Sequence, residues 1–502
     1  MTDRIAPRLV LAALLSATGA FVSEPARAQQ PAPPAAEAPV APAPVPTAPA
    51  EPAPAAQAPA VDPAAQPPGT QAPAQAAAPP ARPRPPRPAP PPRVTAISTD
   101  PQPTYGPQTV AVTQAALASY RQIAQRGGWG TLPTTLRLSK GQRGADVARL
   151  KRRLALEGDL NPAEAGSDVF DEATFAAVQR FQRRVGLLPS GLVAAATLRQ
   201  LNIPAEARVR ALEKSLERLA DSRFAFGQRY VVVNIPAAAA EAIEGGVVRR
   251  RHVVIVGKQA HASPMVESRL TVVNFNPTWT IPTSIIKRDI IPRMRRNPAT
   301  LANMRVRILD RSGNEVSPAS IDWSTERAVN YTLRQDPGAG NSLGRVRIDM
   351  PNTEAVFMHD TPSRGLFQSD SRTLSSGCVR VADVSDFVTW LLAPQGFTKE
   401  QVVEGMTQTQ RRDVRLTQAV PVSWVYLTGW AAPDGTVQFR DDIYGWDAPG
   451  APPQRVVRPA PRPAQPPVDI APQVQQAPPP QPNFFDSIFG GQRNTPSADA
   501  RF

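Results

Sequence analysis

The chain has 502 residues, 60 of them proline, and its 56 lysines and arginines against 42 acidic residues give a formal net charge of +14. The prolines gather towards the two ends, so the folded part is shorter than the chain. One cysteine and three histidines leave no intramolecular disulfide and no metal cluster of usual spacing to expect, and without a nucleic-acid motif the positive charge fits either a carboxylate-rich or anionic lipid surface as partner or a simply solvated basic surface, in preference to nucleic acid.

Arg4 and Arg8 precede an apolar run from Leu9 to Val22, and Ala26-Arg27-Ala28 has the small-x-small form of a signal-peptidase site. The run is shorter than the roughly 20 apolar residues of a membrane span, so residues 1–28 read as a cleaved signal peptide and the chain as exported, into the periplasm if the cell has two membranes. Residues 29–103 read as a disordered Pro/Ala-rich linker and 447–502 as a similar Pro-rich tail. A lone thiol, Cys378, in an oxidising compartment calls for a chemical reason.

Val147, Leu150 and Leu154 share one helical face and Val178, Phe181 and Val185 another, which predicts a helical module over 136–202. Leu138-Ser-Lys-Gly-Gln-Arg-Gly144, Phe170-Asp171, Phe181-Gln182, Gly186-Leu187 and Ser190-Gly191 resemble the small peptidoglycan-binding domain of wall enzymes, with Ser190 where that family more often has Asp. A connecting helix over 204–228 carries Leu212, Leu216 and Leu219. Valine- and isoleucine-rich strands follow at 229–235, 251–256 and 269–275, then at 346–348, 356–359 and 379–381. They predict a mainly β domain over 229–400 with an Arg- and Pro-rich insertion at about 285–343. A helix over 384–392 is expected to be capped by Asp383 with Asp386 in a capping-box-like position. Residues 401–446 read as a C-terminal extension.

The densest chemical signal is His359-Asp360-Thr361-Pro362, then Leu366-Phe367, Arg372 and Ser375-Ser376-Gly377-Cys378-Val379-Arg380-Val381. A thiol needs a base to become a nucleophile. His359 closes one apolar strand and Cys378 opens another, so pairing of the two would bring them together. Gly377 permits a turn, and the backbone N–H groups of Ser376, Gly377 and Cys378 are then candidates for an oxyanion hole, which points to acyl transfer. Asp360 could orient the imidazole through its carbonyl or its side chain. Arg372 and Arg380 either engage carboxylates or brace loops. Trp279 either lines a cleft or packs in a core. His252 and His261 sit in no motif and read as strand-edge or loop residues.

The same run resembles the signature of the YkuD-type L,D-transpeptidases over about 229–400. Asn276-Pro277-Thr278-Trp279, Ile281-Pro282 and the insertion are similar to the larger periplasmic branch, in which the insertion is a lid. Many members carry a second His directly before the Gly, where Ser376 stands here, so His359 is the single candidate base. The resemblance implies a β-sandwich-like catalytic domain without a cofactor. Cys378 is then the acylated nucleophile, Ser376 to Cys378 the oxyanion hole and Arg380 a stabiliser of the site. It implies cleavage of a tetrapeptide stem before its terminal D-Ala, a thioester, and a third-to-third cross-link between meso-diaminopimelate residues. Penem-type β-lactams would be covalent inhibitors. Two rivals remain: a hydrolase or ligase of the same fold acting on envelope-protein attachment, and an inactive wall-binding scaffold.

Overall fold

The computed structural model describes residues 93–459; the signal-peptide reading, the linker up to residue 92 and the tail beyond 459 lie outside the described residues. Strands β1 (Arg229–Asn234), β2 (Ala239–Glu244), β3 (Val247–Gly257) and β4 (Val266–Phe275) open the β domain. Next come β5 (Trp279–Thr280), β6 (Val306–Leu309) and β7 (Thr332–Gln335), then β8 (Val346–Asp349), β9 (Met358–His359), β10 (Thr373–Ser375), β11 (Val379–Val381) and β12 (Arg412–Val425). Nine of them form one sheet in the order β10-β3-β11-β9-β8-β4-β12-β1-β2. Because β2 also pairs with β3, the sheet closes on itself, and its sandwich-like character comes from one rolled sheet.

Alternation along the strands explains the layering. Val231 and Val233 of β1 enter the central core with Val422 and Trp424 of β12, while Tyr230 and Val232 face a second cluster with Leu219 and Trp430. Both faces of β1 are covered, which is why it reads as an unbroken valine run. The helix Val384–Leu392 sends Val384, Phe387, Val388 and Leu391 into the central core at helical spacing. Asp383 does not cap it: the residue is left-handed at φ 48° and makes no side-chain cap bond. Asp386 pairs instead with Lys399.

Residues 412–425, expected in an extension, are central, with β12 parallel to β1 and antiparallel to β4. β2 was missed because its Ala-Ala-Glu-Ala-Ile-Glu sequence has low strand propensity; burial against β1 and β3 sets its conformation. The linker and tail boundaries also move. Val94 and Thr95 dock on the Asp370 carboxylate, the carbonyls of Ser98 and Asp100 accept from Arg251, and the Val457 N–H donates to the Met265 carbonyl. These polar anchors order both stretches despite their poverty in apolar side chains. A helix absent from the sequence reading, Thr109–Gln125, packs beside the connecting helix Ala205–Ala220.

The helical module has its own core, including Val147, Leu150, Leu154, Val178, Phe181 and Val185. Asp171 caps the helix Glu172–Arg184 by accepting from the Thr174 N–H at 2.9 Å. At the position where that family more often has Asp, Ser190 Oγ accepts from the Leu192 N–H at 3.2 Å. The insertion begins at β5, before Ile285, since β5 pairs with β7 and β7 with β6. Its separate core holds Ile281, Ile290, Met294, Ile308 and Leu333. Among the described residues no helix is long and apolar enough to cross a membrane.

Candidate active site

The parallel pair β9 and β11 builds the site, with Val379 opposite Met358 and Arg380 opposite His359. Met358, Val379 and Val381 enter the central core, so His359 and Arg380 fall on the other face. Cys378 lies at the entry of β11, partly buried against the edge of that core. The register thus places the thiol two positions along from the residue facing His359, and no hydrogen bond joins Sγ to the imidazole in this conformation. The ring lies edge-on to Phe357 at 5.6 Å between centroids.

The structure chooses between the two ways Asp360 could orient His359. Nδ1 donates to the Asp360 backbone carbonyl at 2.6 Å, which leaves Nε2 as the unprotonated nitrogen. The Asp360 carboxylate turns away and accepts from the Arg345 N–H at 2.9 Å. Gly344, at φ +65°, makes room for it, because a Cβ there would lie 2.5 Å from that carboxyl group.

The turn before Cys378 is held from beneath. Gly377 adopts φ +114°, a backbone region open to glycine. Ser375 Oγ accepts from the Gly377 N–H at 3.2 Å and donates to the Cys378 carbonyl at 2.6 Å. Ser263 Oγ donates to the Gly377 carbonyl at 2.7 Å and accepts from the Gly257 N–H at 2.9 Å. Tyr444 OH donates to the Gly257 carbonyl at 2.7 Å and accepts from the Ser263 N–H at 3.2 Å. Of the three expected oxyanion donors, the Gly377 N–H is therefore engaged by Ser375. Ser375 was visible in the motif, but Ser263 and Tyr444 carry no local signal.

Burial pushes the Cys378 thiol up to about 11, against the pull of Arg380 and Arg347. Burial, followed by the charge of Arg380, pushes His359 down to about 3. Both shifts favour the uncharged forms, a thiol and a neutral imidazole, in the resting site.

The other candidates separate. Arg380 is the cation with the larger influence on both Cys378 and His359, and its Nε is buried without a partner. Arg372 braces a loop, donating to the Ser369 carbonyl at 2.9 Å and to Thr95 Oγ1 at 3.3 Å. Trp279 is half-buried against the core of the insertion. His252 is a buried strand residue, not an edge one, with Nδ1 3.1 Å from the Ala382 carbonyl. His261, in the loop after β3, contacts Arg288 of the insertion. Among the described residues no group of three potential metal ligands occurs.

Residues 228–414 match the family profile described as the YkuD L,D-transpeptidase catalytic domain, and residues 143–201 match that of a "Putative peptidoglycan binding domain". A curated relative, the "Putative L,D-transpeptidase" of Haemophilus influenzae, is 35% identical over 218 residues, or 43% of this chain and 44% of the relative. The chain thus matches less than half the length of that relative. Among solved structures, an L,D-transpeptidase from Stackebrandtia nassauensis covers 59% of this chain and 97% of its own at 13% identity and TM-score 0.25. One from Xylanimonas cellulosilytica covers 58% and 99% at 15% identity and TM-score 0.20. The chain carries a YkuD-type L,D-transpeptidase catalytic domain, preceded by a peptidoglycan-binding domain.

Proposed function

We propose that this protein is an exported L,D-transpeptidase that forms third-to-third cross-links between meso-diaminopimelate residues of peptidoglycan stems through a thioester on Cys378. The observation that carries the reading is the tautomer of His359, whose Nδ1–H is committed to the Asp360 carbonyl so that Nε2 carries the lone pair that can accept a proton. Because thiol and imidazole rest neutral, Sγ attacks the carbonyl carbon of the third stem residue as its proton passes to Nε2. The bond to the terminal D-Ala nitrogen breaks, and the proton goes to the departing amine. The side-chain amine of a second stem then attacks the thioester, loses a proton to Nε2, and frees the thiol. Backbone N–H groups of Ser376 to Cys378 stabilise the oxyanion, with Gly377 exchanging its bond to Ser375 Oγ for one to substrate. Arg380 balances the charge developing on sulfur. Penem-type β-lactams would acylate the same sulfur.

The test is to incubate the full chain, and its Cys378→Ala variant, with disaccharide tetrapeptides and read the products by mass spectrometry. Third-to-third dimers with loss of D-Ala, dependent on Cys378, are expected. Tripeptides alone would point to a hydrolase, and absence of turnover to a scaffold.

A further inference from the structure

Arg288 stands in Ile286–Ile290, a π-helical stretch of the insertion; such turns are rare and concentrate at functional sites. Its guanidinium reaches out of the insertion in a fixed fork. Nε and Nη2 donate to the Asp289 carboxylate at 3.1 and 2.7 Å. Nη1 contacts His261 Nε2 at 2.7 Å, and Nη2 also donates to Ser376 Oγ at 3.0 Å. Arg288 therefore joins the insertion, the loop after β3 and the turn that ends at Cys378. A guanidinium only donates, so the His261 contact requires a neutral ring with its lone pair on Nε2. Ser375 and Ser263 hold the turn from the sheet side; Arg288 holds it from the insertion side. A planar, always-charged fork suits this bridging, and a lysine ammonium could not span the same partners.

We propose that Arg288 is a positioning residue for the catalytic turn: by gripping Ser376, the seated insertion sets the backbone N–H groups of Ser376 to Cys378 in their working orientation. The catalytic part of this inference rests on the function proposed above; the ordering of the turn does not. The insertion then takes part in the chemistry beyond covering the site, and its departure loosens the oxyanion donors.

Two measurements on the full chain test it, with Arg288→Ala, Arg288→Lys, Ser376→Ala, the double variant Arg288→Ala/Ser376→Ala, and Arg295→Ala as a control whose guanidinium donates to Trp323 and Ser324 carbonyls within the insertion. In hydrogen exchange, Arg288→Ala is expected to speed exchange in the segment 375–381 by about tenfold, with β1 and β12 unchanged. With disaccharide tetrapeptides, kcat should fall about tenfold while KM stays within about twofold. The double variant should be no slower than Arg288→Ala, Arg288→Lys should stay impaired, and the control should match the wild type, all with unchanged Tm. Unaltered exchange in the turn would overturn the proposal whatever the enzyme's activity. A loss confined to KM would make Arg288 a donor-binding residue instead, and full rescue by lysine would rule out bridging; either result overturns it. If the wild type turns over no tetrapeptide, the proposed function fails, and the exchange measurement still decides whether Arg288 orders the turn.

Discussion

The helical module over 136–202 and the insertion that opens at Trp279 each have a private apolar core, yet they are fixed to the catalytic domain by different physics. The module meets the rest of the chain through buried polar groups gathered on a charge cluster of its own. The Glu157 side chain is buried, pairs with Arg153 and Arg184 within the module, the latter at 2.7 Å, and accepts from Tyr120 OH of the helix Thr109–Gln125 at 2.8 Å. Burial alone would raise this carboxyl, but Arg184, Arg153 and Arg208 together hold it down at about 2. Arg440 donates to the Arg184 carbonyl at 2.9 Å, and Gln200 to Asp441 at 2.7 Å. The insertion meets the turn that ends at Cys378 through the partly exposed fork of Arg288. Buried charge-assisted hydrogen bonds such as Tyr120–Glu157 and Arg440–Arg184 are costly to break, and a single half-exposed arginine is less so. The fold therefore seats the module more firmly than Arg288 holds the insertion against the turn.

Removing Glu157 strikes the module hardest. Glu157→Ala leaves Arg153 and Arg184 without that partner and Tyr120 OH without its acceptor, and should cost about 3–5 kcal/mol, read by denaturant unfolding; a loss below about 1 kcal/mol would mean that apolar contact, not charge, holds this corner of the module. Leu333→Ala empties a fully buried site in the insertion's core and should cost about 2–5 kcal/mol, but locally. Exchange should rise in β6 and β7 while β1 and β12 keep their protection, and a uniform rise would erase the distinction between the two parts. His359 gives the catalytic sheet an acid limit. Its folded pKa lies below the ordinary value, so the unfolded chain takes up the proton first as pH falls. The stabilisation is complete above about pH 6.5 and is lost at up to roughly 1.4 kcal/mol per pH unit towards pH 3. His359→Gln should flatten that limb in urea titrations. In the free protein, alkylation of Cys378 should keep accelerating above pH 9, where a preformed ion pair would already have levelled. The smallest effect belongs to the N-terminal segment: Asp370→Ala should cost about 1 kcal/mol and expose the chain before residue 100 to limited proteolysis.

Much of this was legible because local chemistry announced it. Valine runs gave β1 and β4, the periodic apolar residues gave the module, and the block from Ser375 to Val381 marked the site. What stayed hidden depends on distance in sequence. Tyr444 and Ser263 support Gly377 from far along the chain, and nothing in their neighbourhoods tells of it. Arg288 looked like one cation among several in the insertion. The choice between the Asp360 carbonyl and carboxylate turned on Gly344, whose missing Cβ lets the carboxylate reach the Arg345 N–H. Polar anchoring of 93–103 was invisible to a reading that equates proline and missing aliphatics with disorder.

That anchored segment has a mechanical consequence. The Asp370 carboxylate takes Val94 N, Thr95 N and Thr95 Oγ1 at 2.8–3.0 Å; further along, Thr104 is bound to Glu241 at 2.7 and 2.8 Å. Tension on the chain from its N-terminal side would meet the folded body at Asp370, eight positions before Cys378, and at the same point at the helical module, whose Leu188 N–H donates to the Val94 carbonyl while the Gly186 carbonyl accepts from the Ala96 N–H. The load would be shared between the loop that feeds β10 and the module, and would pass next to Arg251 and Glu241 in the sheet behind. A tether attached to this protein would thus pull on the module and on the loop leading to Cys378 together, before it pulled on the sheet.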